Sequence, residues 1–374
     1  MMRDLSSVRR VVVKVGTNLL SSEQGIDEHY IDVIVDQLAY LQSHGYQVLL
    51  VSSGAIGMGA KELSLKGPVK QVPMRQACAS IGQPLLMSSY RRSFKRHGLV
   101  CSQILLTRND LNNRLTYVNL RNSIFTLLDL GVIPIFNEND VVSTSEIGTA
   151  FVDNDRMSAM VASKIDADLL VILTDITGLF TADPKKDKEA VLLSDITSLD
   201  ATILSYAGGA GSTHATGGMK TKLLAAKIAR MAGCTTIIAS GYEREVLPRL
   251  LSGEVVGTCI HSVKRLSQRQ RWILYNSHLG SIVVDEGAKK ALIAKKSLLP
   301  KGIVSVNGVF DAGDVVQICT IDDKPFAKAV PYYNSTEITA VAGHSSKDIQ
   351  KIIKEGHKGV IFRPEDLVLL SDDD

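Results

Sequence analysis

The chain has 374 residues, of which 45% are hydrophobic and 22% are charged, and its formal net charge at pH 7 is +3. This composition is typical of a soluble globular protein of two or three domains, and so small a net charge excludes nucleic-acid binding driven by bulk charge alone. The first residues carry no apolar signal-peptide core and no apolar stretch reaches the roughly 18 residues of a membrane span, so we expect a cytoplasmic protein.

Short β-branched runs alternate with longer amphipathic segments through the first two thirds of the chain. The pattern predicts strands at residues 8–15, 47–51, 100–106, 132–136, 169–173 and 235–239. It predicts helices at residues 28–44, 114–130, 156–164, 220–232 and 243–251, with further helical stretches up to residue 96. Short strands joined by helices are typical of βαβ units, so we expect an α/β fold with a mostly parallel sheet sandwiched by helices.

The pattern changes after residue 252. Residues 253–278 are predicted to form a linker, because they begin with a polar, basic stretch that ends the alternation. Beyond it, strands are predicted at residues 280–284, 303–309, 315–319, 327–330 and 359–362, with short helices near 286–296 and 334–342. We therefore expect a first domain over residues 1–252, a small β-rich second domain over residues 279–364 and a frayed tail over residues 365–374.

Six punctuated segments of the first domain carry polar and charged side chains. They are Val13-Lys14-Val15-Gly16-Thr17, Ser52-Ser53-Gly54-Ala55-Ile56, Asn137-Glu138-Asn139-Asp140, Asp153-Asn154-Asp155, Thr174-Asp175 and Thr216-Gly217-Gly218-Met219-Lys220-Thr221-Lys222. Most of them stand where a predicted strand ends, and the carboxyl ends of parallel strands form the ligand crevice of an open sheet. Two lysines, several carboxylates and Gly-rich turns along one edge are the chemistry of a phosphoryl-transfer site.

The glycine patterns exclude two common nucleotide motifs. The sequence contains no P-loop, and the spacing G-x-x-G-x-G at residues 54–59 does not fit a dinucleotide-binding turn. Gly-rich turns can still present backbone N–H groups to an anion at a helix N-terminus. For any one of these turns taken alone, an ordinary connection between a strand and a helix is the simpler interpretation.

Lys14 follows three valines on a predicted central strand. A lysine in that position is costly unless it has an anionic partner, so we expect either a structural ion pair or a contact with transferring phosphate oxygens. Lys222 would contact the phosphate from the other side as a second preorganised positive charge. Thr174 and Asp175 end an apolar run and would face the nucleotide.

Acidic and amide side chains are concentrated around a predicted hairpin at residues 141–152. Asp140 precedes this hairpin, and Asp153-Asn154-Asp155 follows it. The group could be an ordinary polar surface loop. The functional interpretation is that it captures a substrate ammonium, while Ser53 and nearby backbone N–H groups bind a substrate carboxylate.

Positive charge is concentrated in residues 261–301, which contain nine Lys or Arg residues and two acidic residues. Such a cluster fits a nucleic-acid-binding surface, and it equally fits a solvated linker and helix face. The sequence leaves both interpretations open.

Taken together, these segments resemble the amino acid kinase family. The resemblance rests on V-K-V-G-T at 13–17, S-S-G-A-I at 52–56, N-E-N-D at 137–140, D-N-D at 153–155, L-T-D-x-x-G-L-F-T-A-D-P at 173–184 and T-G-G-M-x-T-K at 216–222. Within the family, the set is most similar to the enzymes that phosphorylate L-glutamate in proline synthesis. Residues 282–288, 297–303 and 313–316 resemble a PUA domain, which many bacterial enzymes of that group carry after the kinase domain.

The resemblance implies a role for each matching position. Catalysis would fall to Lys14 and Lys222, which stabilise the transferring phosphoryl group, and to Asp155, which holds both lysines in place. Glutamate would be bound by Ser53, Asp140 and Asn154. The implied ATP-binding residues are Lys14, Thr174, Asp175, Thr216, Gly217, Gly218, Met219, Lys220, Thr221 and Lys222.

Two positions depart from the family pattern. His214-Ala215 precede Thr216 where a glycine is common, and Arg156 follows Asp155 where a neutral residue is expected. Neither change removes a site residue, but Arg156 leaves the local charge open.

The implied reaction uses ATP and Mg²⁺, and no residue is assigned as a metal ligand. L-Glutamate is the expected substrate, L-proline the expected feedback inhibitor and a homo-oligomer the expected assembly. The alternatives are an aspartate or acetylglutamate kinase of the same family, and an RNA-binding PUA protein. The complete N-E-N-D and D-N-D motifs together with the C-terminal module favour the glutamate enzyme.

Overall fold

The chain divides into two compact units, Met1–Arg265 and Leu266–Asp374. The computed structural model describes residues 2–22, 25–107, 110, 114–142, 154–184, 186–207, 218–263, 266–345, 353 and 359–370. Most of the predicted hairpin at residues 141–152 therefore lies outside the described residues, as does Asp153. Within the described ranges, no helix is both long and apolar enough to cross a membrane.

The first unit is built on an eight-stranded sheet. The strands of the whole unit, in chain order, are β1 Arg10–Val15, β2 Ser21–Ser22, β3 Gly25–Ile26, β4 Gln47–Val51, β5 Cys101–Leu106, β6 Ile133–Glu138, β7 Leu169–Thr174, β8 Asp195–Ile196, β9 Thr235–Ser240 and β10 Thr258–Ile260. The order across the sheet is β5-β6-β4-β1-β7-β9-β10-β8, and β2 pairs with β3 in a separate ribbon. Neighbours in the main sheet are parallel except β9 and β10. The predicted mostly parallel α/β sheet is confirmed.

Helices connect the strands of this sheet. They are α1 Glu28–Ser43, α2 Ala55–Glu62, α3 Val72–Lys95, α4 Arg114–Asp129, α5 Asn154–Lys164, α6 Ala201–Tyr206, α7 Met219–Met231 and α8 Val246–Leu251. The start of α1 follows local capping chemistry: the side chain of Asp27 accepts a hydrogen bond of 2.9 Å from the backbone N–H of Tyr30.

Strand β1 lies in the middle of the sheet, between β4 and β7. Val11 and Val13 pack into a core that includes buried residues of α1, and Val12 on the opposite face is also completely buried. Because side chains alternate along a strand, Lys14 shares its face with Val12. The fold therefore places an ammonium group at the end of a strand that is buried on both faces, where it needs an anionic partner.

Glycines bring α2 and α3 close together. A methyl group on Gly59 would lie 1.8 Å from the carbonyl oxygen of Cys78, and one on Gly82 would lie 1.9 Å from that of Ala55. Gly54, at the start of α2, has φ of +100°, which side chains other than glycine rarely adopt. The glycines at residues 54 and 59 thus serve a turn and a helix crossing.

The stretch 253–278, predicted to be a linker, contains two elements instead. Thr258–Ile260 form β10 between β9 and β8, and the Arg3 guanidinium donates a hydrogen bond of 2.6 Å to the carbonyl oxygen of Val256. The later residues 268–275 form a helix in the second unit. A three-residue strand is too short to show a period, so only the polar residues around it were visible in the sequence pattern.

The second unit contains a five-stranded sheet. Its elements are α9 Gln268–Tyr275, β11 Gly280–Val284, α10 Glu286–Ile293, β12 Ile303–Gly308, β13 Val316–Cys319, β14 Pro325–Ala329, α11 Ser335–Val341 and β15 Leu367–Leu369, with short 3-10 turns at Pro300–Gly302 and Pro364–Asp366. The sheet order is β12-β11-β13-β14-β15. The prediction of a small β-rich unit is confirmed.

Two details of this unit differ from the prediction. Residues 365–374, predicted as a frayed tail, contribute β15, which pairs antiparallel with β14. The strand predicted at residues 359–362 is reduced to an isolated bridge between Phe362 and Leu298. The Leu-Val-Leu run of β15 is too short to be recognised beside a charged terminus.

Candidate active site

A buried ionic cluster lies at the carboxyl end of β1. Lys14 Nζ is 2.6 Å from Asp155 Oδ1, and Lys222 Nζ is 3.3 Å from Asp155 Oδ2. The hydroxyl of Thr221 donates a hydrogen bond of 2.8 Å to Asp155 Oδ2. Asp155 is completely buried, and the two lysines are 5% and 4% exposed. The structure therefore brings the three residues predicted to be catalytic together, with one carboxylate between two ammonium groups.

Three elements position this cluster. Lys14 is on β1, Asp155 is in the first turn of α5, and Lys222 is in the first turn of α7. A carboxylate is favourable near a helix N-terminus because it meets the positive end of the helix dipole. Two helix N-termini thus meet the end of a central strand, an arrangement that offers backbone N–H groups to an anion.

The charges of the cluster set the protonation of Asp155. Burial alone would raise the pKa of this carboxyl group, but the ammonium groups of Lys14 and Lys222 and the hydrogen bond from Thr221 outweigh burial. The pKa is held below its usual range, so Asp155 is ionised at neutral pH. Two ammonium groups share this one carboxylate, and positive charge placed in this way attracts an incoming anion.

A second polar group surrounds the amide of Asn154. Its Nδ2 donates hydrogen bonds of 2.7 Å to Ser53 Oγ and 2.9 Å to the carbonyl oxygen of Ser52, and it lies 3.4 Å from Asn137 Oδ1. Asn154 Oδ1 is buried and has no hydrogen-bond partner among the described residues. Ser53 and Asn154, two residues predicted to bind substrate, are therefore in direct contact. Asn154 directly precedes Asp155, the carboxylate of the ionic cluster, in the sequence.

Asp140, the third residue predicted to bind substrate, lies in a turn after β6. Partial burial raises the pKa of its carboxyl group, and the positive charge of Arg75 opposes this to a smaller extent. Strand β6 pairs with β4, which precedes Ser53, so Asp140 and Ser53 follow adjacent strands. The described hydrogen bonds of Ser53 do not include Asp140, so this part of the predicted substrate site is linked only through strand order.

Thr174 is the last residue of β7, the strand next to β1, and Asp175 follows it. The hydroxyl of Thr174 and the amide of Asn18 donate hydrogen bonds of 3.0 and 2.9 Å to the two carboxylate oxygens of Asp175. Partial burial raises the pKa of Asp175, but these two hydrogen bonds, together with a backbone hydrogen bond and the charge of Lys222, outweigh it and leave the pKa below its usual range. A methyl group on Gly16 would lie 3.2 Å from the carbonyl oxygen of Leu173, so glycine keeps the two strand ends close together here.

The Gly-rich segment before Lys222 is described only in part. Gly218 is the extended N-cap residue of α7, which begins at Met219, and Lys220 is exposed. The predicted ATP-binding residues Thr216 and Gly217 lie outside the described residues. The helix then presents the hydroxyl and the ammonium group that contact the buried carboxylate.

Sequence reasoning missed several contributors to the site. Asn137 belongs to the N-E-N-D motif, yet only Asp140 of that motif was selected. Gln83 lies on α3, outside every motif, and its Oε1 accepts a hydrogen bond of 2.8 Å from Asn137 Nδ2. Thr221 is predicted to bind ATP, and in the structure its hydroxyl also contacts the buried carboxylate, a contact that the sequence did not indicate. Arg156 is exposed, so its charge lies outside the buried cluster.

Comparison with known protein families gives two matches along the chain. The profile of the amino acid kinase family matches residues 9–240, more than half of the chain. The profile of the PUA domain matches residues 280–353. The two matched stretches fall in the first and second structural units, respectively.

Curated relatives cover nearly the whole chain. A glutamate 5-kinase of Methanosarcina acetivorans is 42% identical over 372 residues, which span 97% of this chain and 96% of the relative. A glutamate 5-kinase of Syntrophotalea carbinolica is 41% identical over 368 residues, with 98% of each chain covered. Among solved structures, a carbamate kinase from Giardia lamblia bound to AMP-PNP has the same fold, with a TM-score of 0.50 at 18% identity over 69% of this chain and 100% of that one.

Proposed function

This chain belongs to the amino acid kinase family and to its glutamate 5-kinases, and from that membership we propose that it transfers the γ-phosphoryl group of ATP to the γ-carboxylate of L-glutamate. The product is L-glutamyl 5-phosphate, an acyl phosphate. In a cell, this reaction would be the first step of proline synthesis.

The observation that carries the proposal is the cluster of Lys14, Asp155 and Lys222. The substrate carboxylate is already ionised at neutral pH, so the reaction needs no general base. What it needs is alignment of two anions and stabilisation of negative charge on the transferring group. Two ammonium groups held on one buried carboxylate support that role, because they are preorganised and desolvated before the substrates arrive.

ATP and its ion would approach this cluster from the ends of β1 and β7. Thr174, Asp175 and the first turn of α7 are proposed to bind the nucleotide. Mg²⁺ is proposed to enter with ATP, since Asp155 is engaged by two ammonium groups and a hydroxyl and does not fit a metal ligand. The ion, when bound, would offset phosphate charge, with phosphate oxygens and water as ligands.

The amino-acid substrate would lie beside Ser53, Asn154 and Asp140. The hydroxyl of Ser53 and nearby backbone N–H groups are proposed to bind the α-carboxylate of glutamate. The amide oxygen of Asn154 and the carboxylate of Asp140 are proposed to bind its α-ammonium group. The position of Asn154 next to Asp155 supports this placement, because it directs the far end of glutamate toward the lysines. A homo-oligomeric assembly and a cytoplasmic location stay predictions.

Hydroxylamine trapping tests the proposal against its alternatives. The protein is incubated with ATP, Mg²⁺, hydroxylamine and either L-glutamate, L-aspartate or N-acetyl-L-glutamate. We expect hydroxamate from L-glutamate and much less from the other two. Hydroxamate formed preferentially from aspartate or acetylglutamate would replace this function with that of another family member, and none from any of them would reject the reaction class.

We expect free L-proline to inhibit by competing with L-glutamate. Proline has the α-carboxylate and the α-nitrogen of glutamate but no γ-carboxylate, so the groups at Ser53, Asp140 and Asn154 would bind it without a phosphoryl acceptor. Initial rates at several proline concentrations should show a rising KM for glutamate at constant kcat. The Asn154→Ala variant should lose affinity for both ligands together.

Proline inhibition that persists undiminished in Asn154→Ala, while glutamate binding is weakened, would place proline at a separate site. The exposed Lys61, at the end of α2, provides a control variant, and Lys61→Ala should keep both affinities.

The first unit should be active without the second, provided that β10 is kept. A chain ending at Arg265 retains Thr258, whose hydroxyl accepts a hydrogen bond of 2.8 Å from the backbone N–H of Leu179. A chain ending at Ser252 loses this contact and the strand itself, and it leaves β9 paired on one side only, with β7. We therefore expect near-normal hydroxamate formation from residues 1–265 and insoluble or unstable protein from residues 1–252.

Circular dichroism and thermal unfolding would separate folding from activity in these two truncated chains. A folded but inactive 1–265 chain would show that the second unit contributes to the site. Equal behaviour of the two truncations would show that β10 is dispensable.

A further inference from the structure

A chain of hydrogen-bonded amides, of which Asn137 and Gln83 are buried, leads away from Asn154. Asn137 Nδ2 donates a hydrogen bond of 2.8 Å to Gln83 Oε1, and Gln83 Nε2 donates one of 3.2 Å to Gln103 Oε1. Asn137 is 3% exposed and Gln83 is 8% exposed. Buried polar groups are unfavourable without partners, so such a chain is stable only when each amide is correctly oriented.

Backbone groups fix the direction of these hydrogen bonds. The backbone N–H of Glu138 can only donate, and it lies 2.9 Å from Asn137 Oδ1. The carbonyl oxygen of Ser52 can only accept, and it lies 2.9 Å from Asn154 Nδ2. Both amides therefore have one allowed orientation. In that orientation Asn137 Nδ2 points away from the backbone donor and needs an acceptor, which Gln83 Oε1 provides.

The same polarity determines what Asn154 presents to a ligand. Its NH₂ group faces three acceptors, on Ser52, Ser53 and Asn137. Its Oδ1 atom is left buried with no donor among the described residues. A buried acceptor without a donor costs free energy, and a ligand that supplies an N–H group recovers it. The α-ammonium group of an amino acid is such a donor.

We propose that Gln83 is a positioning residue for the amino-acid substrate. It acts through Asn137: by accepting from Asn137 Nδ2, it holds Asn137 Oδ1 against the NH₂ group of Asn154, which keeps Asn154 Oδ1 available for the substrate ammonium. Gln83 itself does not touch the substrate. The inference rests on the proposed function, since it concerns how Asn154 binds the α-ammonium group of the substrate at the same site.

Two substitutions at Gln83 separate positioning from packing. Gln83→Met keeps an unbranched side chain of similar size but cannot accept the hydrogen bond, so the KM for L-glutamate should rise about ten-fold, the equivalent of roughly one net hydrogen bond. The kcat value and the KM for ATP should change less than about three-fold. Gln83→Glu keeps an acceptor for Asn137, and the exposed Gln103 can turn its amide to donate, so this variant should recover most of the affinity.

Gln37 provides the matched control. It is a buried glutamine on α1, 6% exposed, whose Oε1 accepts a hydrogen bond of 3.0 Å from the backbone N–H of Leu247. Gln37→Met should lower the melting temperature as Gln83→Met does, but leave the KM for glutamate unchanged. Protection by L-glutamate against thermal unfolding, measured without ATP, gives a binding readout that does not depend on catalysis.

The outcomes test the positioning role of Gln83 separately from the proposed kinase activity. Wild-type protein that forms no glutamyl hydroxamate would overturn the proposed function and the inference together. Active wild-type protein with an unchanged glutamate KM in Gln83→Met, or with equal KM increases in Gln83→Met and Gln83→Glu, would overturn the positioning role alone. Loss of stability without loss of glutamate affinity would make Gln83 a packing residue like Gln37.

Discussion

Lys14→Ala and Lys222→Ala should each lower kcat by on the order of 10²- to 10³-fold, which is typical when one preorganised charge contact to a transition state is removed. Both ammonium groups are buried and lie on the two oxygens of Asp155, so no water molecule easily replaces either one. The KM for glutamate should change much less, since negative charge on the transferring group is greatest in the transition state. Steady-state hydroxamate rates at saturating ATP and glutamate measure the effect.

The exposed Lys61 again provides the control, because Lys61→Ala removes a positive charge without touching the cluster. Either lysine variant with a kcat near that of the wild type would remove that lysine from the proposed mechanism. A rise in KM at constant kcat would mean that the lysine binds ground-state substrate only.

Asp155→Asn should have the second large effect, on stability and on rate together. The substitution removes the carboxylate that contacts both buried ammonium groups, and breaking a buried ionic contact typically costs about 3–5 kcal/mol. The lysines would then move apart, and a misplacement of about 1 Å can cost about 10²-fold in rate. Urea unfolding at pH 7 and hydroxamate formation by the folded fraction measure the two effects.

The effect on stability should depend on pH in one direction. The folded-state pKa of Asp155 is depressed below its unfolded value of about 3.9, so the stabilisation is present above that pH and is lost as the pH falls through the folded pKa. The difference in free energy of unfolding between wild type and Asp155→Asn should therefore be largest near neutral pH and shrink on acidification. A difference that grows as the pH falls would contradict the ionised assignment.

Asp36 offers the matched comparison for this variant. Its carboxylate also contacts two basic side chains, with Arg96 at 2.9 Å and His97 at 2.7 Å, but it is about half exposed. Exposed ion pairs contribute at most about 1 kcal/mol, so Asp36→Asn should change stability little and activity not at all. Equal losses in Asp36→Asn and Asp155→Asn would show that burial of the cluster has no special effect.

The sequence predicts the part of this site that has an electrostatic signature. A lysine after three valines has to find a carboxylate, and the structure places Asp155 there. The regular alternation of strands and helices likewise predicts the parallel sheet, because each element is long enough to show its period. Short elements are different: the three residues of β10 and of β15 carry no period, and pairing with distant strands creates them.

The hydrogen bonds among Gln83, Asn137 and Asn154 could not be predicted from the sequence for a related reason. Gln83 lies in the middle of a long helix, and no motif near it in the sequence indicates that it belongs to a functional site. Its role depends on Asn137, which is 54 residues away in the chain and contacts it only in the folded protein. A neutral amide side chain also costs little free energy on most helix surfaces, so a glutamine in a helix does not by itself predict a functional role. Sequence patterns reveal buried charges more readily than oriented amides.

Isotope transfer from the substrate tests the central claim, that a carboxylate of glutamate attacks the γ-phosphorus of ATP at this site. L-Glutamate carrying ¹⁸O in both oxygens of its γ-carboxylate is incubated with the protein, ATP, Mg²⁺ and hydroxylamine. Hydroxylamine displaces phosphate from the acyl carbon, so the bridging oxygen leaves with phosphorus. We predict inorganic phosphate with one ¹⁸O atom per glutamyl hydroxamate formed, and loss of both products in Lys222→Ala. Unlabelled phosphate released without hydroxamate would contradict the account, since water rather than glutamate would then be the acceptor.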